Sequence, residues 1–305
     1  MCTAISYTNG DNYFGRNLDL DMEYETRVVV TPREYQIKFT NGDIAERHYA
    51  MIGSAVLNND YPLYFEATNE KGLSCAALNF SGYAQYKKGE GDGFVASFEF
   101  ILWVLSLNET VSAAKDKIKK IKISDIAFSE DFKPTGLHFI ISDKTESITV
   151  EQTASGLNIY ENKYGVLTNN PEFRFHKIYL ENFAHLSPKN KSTENPYSNG
   201  IGAFSLPGDF SSISRFVKAV FVKEHSVVCE KSEKANVAHF FHILDSVSVP
   251  SGSVITNNGW VHKTIYSSCC NTKRGVFYYK FYNDLSVKKV SMNEFNLDEK
   301  TLILC

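Results

Sequence analysis

Few cysteines, no long apolar run and no excess of one charge sign mark this chain, and each shortage removes a class of function. Its 305 residues hold six cysteines, at positions 2, 75, 229, 269, 270 and 305, without a repeated spacing. That count suggests neither a disulfide framework nor a zinc site. Lysine and arginine are scattered and the formal net charge is only -3. No basic stripe is available for a phosphate backbone, so nucleic acid is not an expected partner. The longest apolar run, Phe100 to Leu105, is too short to span a bilayer, so no membrane association is expected. The opening Met1-Cys2-Thr3-Ala4-Ile5-Ser6-Tyr7 turns polar at Asn9-Gly10-Asp11 and lacks the basic and apolar regions of a secretory signal. The expected location is the cytoplasm.

Several common chemical signatures are missing too. There is no Walker motif and no Gly-x-Ser-x-Gly elbow. Gly89, Gly91 and Gly93 look briefly like a dinucleotide fingerprint, but Phe94 stands where the third glycine belongs, and a flexible loop is the better reading. His239-Phe240-Phe241-His242 lacks both the metalloprotease spacing and an acidic companion, so these histidines read as helix packing and surface groups.

What is present is globular: 43% hydrophobic and 13% aromatic residues, enough to bury a core. No internal repeat or linker divides the chain, and one domain over 1–305 is expected. Short β-branched and aromatic runs at Ala4–Tyr7, Tyr13–Leu18, Arg27–Thr31, Gln36–Phe39, Tyr64–Thr68 and Ser74–Phe80, with Asn-Gly at 9–10 and 41–42, predict antiparallel hairpins. Helical spacing takes over between Ser97 and Ile121, in two helices split near Asn108-Glu109-Thr110, where Asn and Thr are good caps. Strands resume at Leu137–Ser142, Ser147–Thr153 and Leu157–Tyr160. Helices follow near Phe173–Phe183, Ser214–Val222 and Asn236–Leu244, and strands close the chain at Thr264–Ser268, Gly275–Tyr282 and Val287–Ser291. Strands, then helices, then strands argue for α+β layers. The aperiodic stretch Leu186–Ser212, rich in Ser, Asn, Pro and Gly, has the length of a functional or interfacial connection. In a strand, the adjacent Cys269 and Cys270 would point to opposite faces.

Cys2 carries a specific chemical consequence. Removal of Met1, expected when the next side chain is small, leaves a thiol and a free α-amine on one residue. An α-amine has an ordinary pKa of about 7.7 to 8.0, which lets it act as a base toward its own thiol without a histidine. The next strand ends in Phe14-Gly15-Arg16-Asn17-Leu18-Asp19, and a hairpin would return its cation, amide and carboxylate to the side of the first strand.

In these blocks the sequence resembles the choloylglycine hydrolase family, which holds conjugated bile acid hydrolases and penicillin V acylases among the N-terminal nucleophile hydrolases. Further carriers are Asn59-Asp60-Tyr61-Pro62-Leu63-Tyr64, Leu78-Asn79-Phe80, Leu167-Thr168-Asn169-Asn170-Pro171 and Leu206-Pro207-Gly208-Asp209 through Ser214-Arg215-Phe216, so nearly the whole chain is covered. The resemblance implies a four-layer αββα sandwich of two antiparallel sheets flanked by helices. It implies Cys2 as nucleophile, Arg16 and Asp19 holding the cysteine and its amine, and Arg215 near the thiol. It also implies two oxyanion donors, the Asn169 side chain and the Asn79 backbone amide. Each role is sound in itself, since a cation favours thiolate and paired donors stabilise a tetrahedral oxyanion.

Asparagine at position 79 is typical of the family's bile acid hydrolases, whereas its penicillin V acylases more often carry tyrosine. The implied substrate is therefore a glycine- or taurine-conjugated bile acid, cleaved at the amide without metal or organic cofactor. Leu18, Leu20, Phe128, Phe132 and Leu137 are the expected apolar wall for the steroid. A penicillin V acylase, or a related amidase or acyltransferase, is the nearest alternative, and an inactive sterol-binding homologue the next. A homo-oligomer, a tetramer in the family pattern, is expected through the Leu186–Ser212 stretch.

Overall fold

Backbone amides and carbonyls must be paired when buried, and in this chain the β-branched and aromatic runs meet that need by laddering. The computed structural model describes residues 1–130, 132–190, 199–230 and 232–305. Its main strands are β1 (Cys2–Asn9), β2 (Asp11–Leu20), β3 (Arg27–Thr31), β4 (Met51–Asn58), β5 (Tyr61–Asn69), β6 (Ser74–Asn79), β7 (Leu137–Ser142), β8 (Ser147–Thr153), β9 (Gly156–Glu161), β10 (Val166–Leu167), β11 (Val254–Ile255), β12 (Val261–Asn271), β13 (Val276–Phe281), β14 (Asp284–Ser291) and β15 (Ile303–Leu304). A seven-stranded sheet runs β10-β1-β2-β12-β13-β14 with β11 beside β12, and an eight-stranded sheet runs β9-β8-β7-β6-β5-β4-β3-β15. Neighbours in both sheets are antiparallel.

The helices are α1 (Phe100–Leu107), α2 (Val111–Ile118), α3 (Phe173–Glu181), α4 (Ser212–His225) and α5 (Glu233–Asp245). α1 packs on β5 and β6, whereas α4 and α5 pack on the seven-stranded sheet and α3 lies against α4. The result is the α+β sandwich of four layers, αββα. Side-chain alternation sorts the cores. Cys75, Ala77, Phe139 and Ile141 face α1, with the Phe100 and Phe139 rings 4.1 Å apart, while Ala76, Leu78 and Ile140 point to the opposite core with Ala4 and Phe14. Cys269 and Cys270 alternate in the same way, yet both are buried, because each face of β12 is covered.

The split between α1 and α2 falls where the sequence marks it, with the Thr110 hydroxyl accepting the Ala113 amide at 3.2 Å. Two local readings change. The run Gln36–Phe39 contributes only Ile37–Lys38, paired with Ile44–Ala45, since the chain turns at once around Asn41-Gly42, where the Phe39 amide meets the Asp43 carbonyl. β4 went unread because Gly53-Ser54-Ala55 blunts its alternation. Small residues are needed there, as a Cβ on Gly53 would lie 2.0 Å from the Glu66 carbonyl oxygen. Among the described residues, no helix is long and apolar enough to cross a membrane.

Gly15 has the same constraint on β2, where a Cβ would fall 2.0 Å from the backbone oxygen of Ser268. That close approach brings the Ser268 hydroxyl to the Arg16 amide, 3.2 Å away. Gly15→Ala forces backbone apart rather than a side chain aside, and should cost about 3 kcal/mol of stability in urea unfolding.

Candidate active site

The β1-β2 hairpin pairs Cys2 with Leu18 and Ala4 with Arg16, so the thiol and the guanidinium share one face of the hairpin, and Asp19, which alternates with Leu18, turns its carboxylate to the other face. An apolar cavity of about 260 Å3 opens beside the first two. Cys2, Arg16, Leu18, Leu20, Ala77, Asn79 and Leu137 line it from the sheets, and Phe98, Ile101, Phe128, Phe132, Lys133, Pro134 and Thr135 from the opposite side. All five residues of the expected wall border it. Val56, Leu63, Phe65, Phe98 and Ile101 also border it from runs that look like ordinary core, and Tyr24 does so from the exposed polar segment after β2. Two larger hollows, of about 530 and 690 Å3, are polar and lie away from Cys2; the first is crossed by the Arg33–Glu70 ion pair at 2.6 Å.

Asn169 ties the site together. Its Oδ1 accepts the Cys2 amide at 2.7 Å and the Arg215 Nη2 at 2.8 Å, while its Nδ2 donates to the Asn79 carbonyl at 2.9 Å. Arg215, in the first turn of α4, is fully buried and also donates through Nη1 to the Cys2 carbonyl and the Thr3 hydroxyl. It thus holds the backbone of Cys2 more than its thiol. Burial lowers the Arg215 pKa, against the pull of Asp19 and Cys2. Asp19 Oδ1 accepts from Thr264 at 2.6 Å, and its buried Oδ2 carries no hydrogen bond, 3.9 Å from Arg215. Met1 is present and extends the ladder, exchanging bonds with Asp19 in both directions, at 2.6 and 3.0 Å.

Arg16 is fully buried. Nη1 donates to the carbonyls of Phe65 and Ala77, at 3.0 and 2.6 Å, and Nε stands 3.8 Å from the Glu66 carboxylate. Burial alone would lower its pKa, but the charges of Cys2 and Glu66 hold it above the ordinary range, so it stays a cation beside the thiol. Backbone direction fixes the Asn79 amide. The Phe80 amide bonds Gly136 across to β7, so Ala77 and Asn79, which alternate with it, face away from β7, where their carbonyls take Arg16 and Asn169. The β5 pairing ends at Ala76, which leaves that side open for the Asn79 N–H. The arrangement provides a thiol beside a cation at the opening, with Asn79 on the same wall and Asn169 joined to both Cys2 and Asn79.

A second set of buried polar groups, not found by motif, positions Asn169. Glu151 accepts the Phe173 amide at the start of α3, where a helix favours an anion, and meets His138 at 3.0 Å. His138 reaches on to the Thr168 carbonyl at 2.8 Å. His176 Nε2 lies 3.1 Å from the Asn169 carbonyl, and Ser212 Oγ accepts the Asn169 amide at 2.8 Å. The available signal was a charge or imidazole inside strand runs, as in Leu137-His138-Phe139 and Val150-Glu151-Gln152, since such groups are rarely buried without partners.

Residues 2–305 match the family model described as linear amide C–N hydrolases, choloylglycine hydrolase family. A bile salt hydrolase/transferase from Lactiplantibacillus plantarum is 43% identical over 311 residues, spanning 99% of this chain and 96% of that protein. A mutant conjugated bile acid hydrolase from Clostridium perfringens, solved by crystallography, matches with a TM-score of 0.90 at 33% identity, over 100% of this chain and 96% of that one. Penicillin V acylase from Agrobacterium tumefaciens shares the fold, with a TM-score of 0.79 at 20% identity over 99% of this chain and 90% of that one. The αββα sandwich is thus the N-terminal nucleophile hydrolase fold.

Burial, with the nearby charges of His138 and Arg215, lowers the His176 pKa to about 3, and its Nδ1 has no partner to receive a proton's hydrogen bond. A depressed folded pKa means stability that is complete above the ordinary value of 6.5 and is lost as the pH falls from there toward 3. Urea unfolding at pH 7 and pH 5 should show a loss of about 2 kcal/mol from this imidazole. His176→Gln should flatten that part of the pH dependence.

Proposed function

The chain belongs to the choloylglycine hydrolase family of linear amide C–N hydrolases, and from that premise we propose that it is a bile salt hydrolase whose nucleophile is Cys2, freed by removal of Met1. The observation that carries the reading is the meeting of Cys2, Arg16 and Asn79 on one apolar cavity, with Asn169 bonded to both Cys2 and Asn79 beside it. The relatives' activities, bile salt and conjugated bile acid hydrolysis, support the same substrate class.

Loss of Met1 breaks the two bonds to the Asp19 backbone and turns the Cys2 amide, already on Asn169 Oδ1, into an amine. That amine takes the thiol proton, and the thiolate, favoured by Arg16, attacks the carbonyl carbon joining the bile acid to glycine or taurine. The oxygen gathers negative charge opposite the Asn169 Nδ2 and the Asn79 amide. The ammonium then gives its proton to the nitrogen as the C–N bond breaks, and the amino acid departs. Water adds to the thioester, the amine receives its proton, and the C–S bond breaks. The proton returns to sulfur as the free bile acid leaves, so the net reaction consumes one water. Asp19 and Arg215 act on the backbone and amine of Cys2, and Leu18, Leu20, Phe128, Phe132 and Leu137 receive the steroid. No metal or organic cofactor enters these steps.

We also read the enzyme as a cytoplasmic homo-oligomer, a tetramer in the family pattern. Exposed Ile201 and Phe204, 48% and 76% accessible, support an interface in the Leu186–Ser212 stretch, of which 191–198 lie outside the described residues.

Intact mass of the cell-produced protein should lack one methionine, and ninhydrin should detect glycine or taurine released from bile salts. Cys2→Ala should lower kcat roughly 1000-fold or more while the protein stays folded. Undiminished turnover by Cys2→Ala defeats the reading. A kcat/KM for penicillin V exceeding that for conjugated bile acids favours the acylase, and the expected preference is about tenfold or more for bile salts.

A further inference from the structure

Glu66 is a charge placed where β5 offers a fully interior position, with only 1% of it exposed. Its carboxylate bridges the two sheets. Oε2 accepts from the Tyr266 hydroxyl at 2.8 Å and Oε1 from the Ser268 hydroxyl at 2.9 Å, both on β12. Oε2 also stands 3.8 Å from Arg16 Nε. A clasp between sheets needs no charge, because a neutral amide can accept from either hydroxyl. Burial pushes the Glu66 carboxyl up to about 7 against the pull of Arg16, so its charge depends on the cation that faces it, and that cation is the one beside Cys2.

The rest of the Arg16 environment leaves that task unfilled. Its Nη1 is anchored by the Phe65 and Ala77 carbonyls, which fix one corner of the guanidinium without neutralising it. Nε and Nη2 are buried and carry no hydrogen bond, and the carboxylate facing Nε at 3.8 Å supplies the opposite charge that the two carbonyls do not. The Ser268 hydroxyl couples the parts further, since it accepts the Arg16 amide and donates to Glu66. The titratable groups around the carboxylate are Arg16 from β2 and Tyr266 and Cys270 from β12, with Cys2 of β1 across Arg16. Glu66 itself does not line the cavity.

We propose that Glu66 is the positioning residue for Arg16: it orients the guanidinium toward the Cys2 thiol and balances its charge during turnover. The inference rests on the reading of Cys2 as the nucleophile.

The test is steady-state kinetics on conjugated bile acid with the matured enzyme. Glu66→Gln should lower kcat about 10- to 100-fold with KM within about twofold, and Glu66→Asp, which keeps the charge, should recover most of the loss. In an Arg16→Leu background the same Glu66→Gln change should alter kcat by less than about twofold, because the two side chains act as a unit. A Glu66→Gln enzyme with unchanged kcat, or losses that multiply in the double variant, overturns the proposal even if the thermal midpoint falls. Should Glu66→Gln fail to fold, Tyr266→Phe, which removes one donor to the carboxylate, decides: a drop in kcat of about threefold or more at constant KM supports the proposal, and an unchanged kcat overturns it. Turnover by Cys2→Ala sinks the underlying reading instead. An inactive Cys2→Ala beside an unaffected Glu66→Gln sinks only the role of Glu66.

Discussion

Two guanidinium groups buried without solvent, Arg16 between the sheets and Arg215 under α4, impose the constraint around which the rest of the site is arranged. Each must exchange its hydration for backbone carbonyls and a carboxylate, and those acceptors lie on strands distant in sequence. Satisfying Arg16 joins β2 to β5 and β6, and satisfying Arg215 joins α4 to β1. The charges therefore brace the layers as well as setting the field at the thiol. A core built on hydrophobic contact alone would tolerate small slips of one layer on another, because such contacts lack direction. Bonds of 2.5 to 3.0 Å from a rigid planar group do not.

Much of this was legible from the chain before its structure. The Cys2 strand, the turn at Asn9-Gly10 and the Arg16-Asn17-Leu18-Asp19 run form a local hairpin, and local geometry is what pattern reading resolves best. Thr110 at the head of α2 follows the same logic. Glu66, Glu151 and His138 were not read, because their meaning depends on partners on other strands, and Tyr266, Ser268 and Thr168 carry no mark of the pairing. β4 was missed because Gly53 is fitted to the backbone of β5, a demand that the sequence of β4 does not display. The role of Asn79 came from the family resemblance carried by Leu78-Asn79-Phe80. That its carbonyl would meet Asn169 required the sheet's register.

Polar groups around Asn169 extend well past the atoms facing the cavity. Glu151 links the first turn of α3 to His138, His138 links to Thr168, and Ser212 at the start of α4 returns to the Asn169 amide. Two helix beginnings thus converge on one asparagine. The neutral imidazole of His176, kept so by burial, completes the support.

The cavity wall comes in two kinds. Cys2, Arg16, Leu18, Ala77 and Asn79 belong to strands of the two sheets, whereas Phe128, Phe132, Lys133, Pro134 and Thr135 project from the connection ahead of β7. Drift in sequence is cheap on the second and expensive on the first. The part of the wall that the connection supplies can therefore change its shape without disturbing the strands that hold Cys2 and Arg16, while the part made by Leu18, Leu20 and Leu137 cannot.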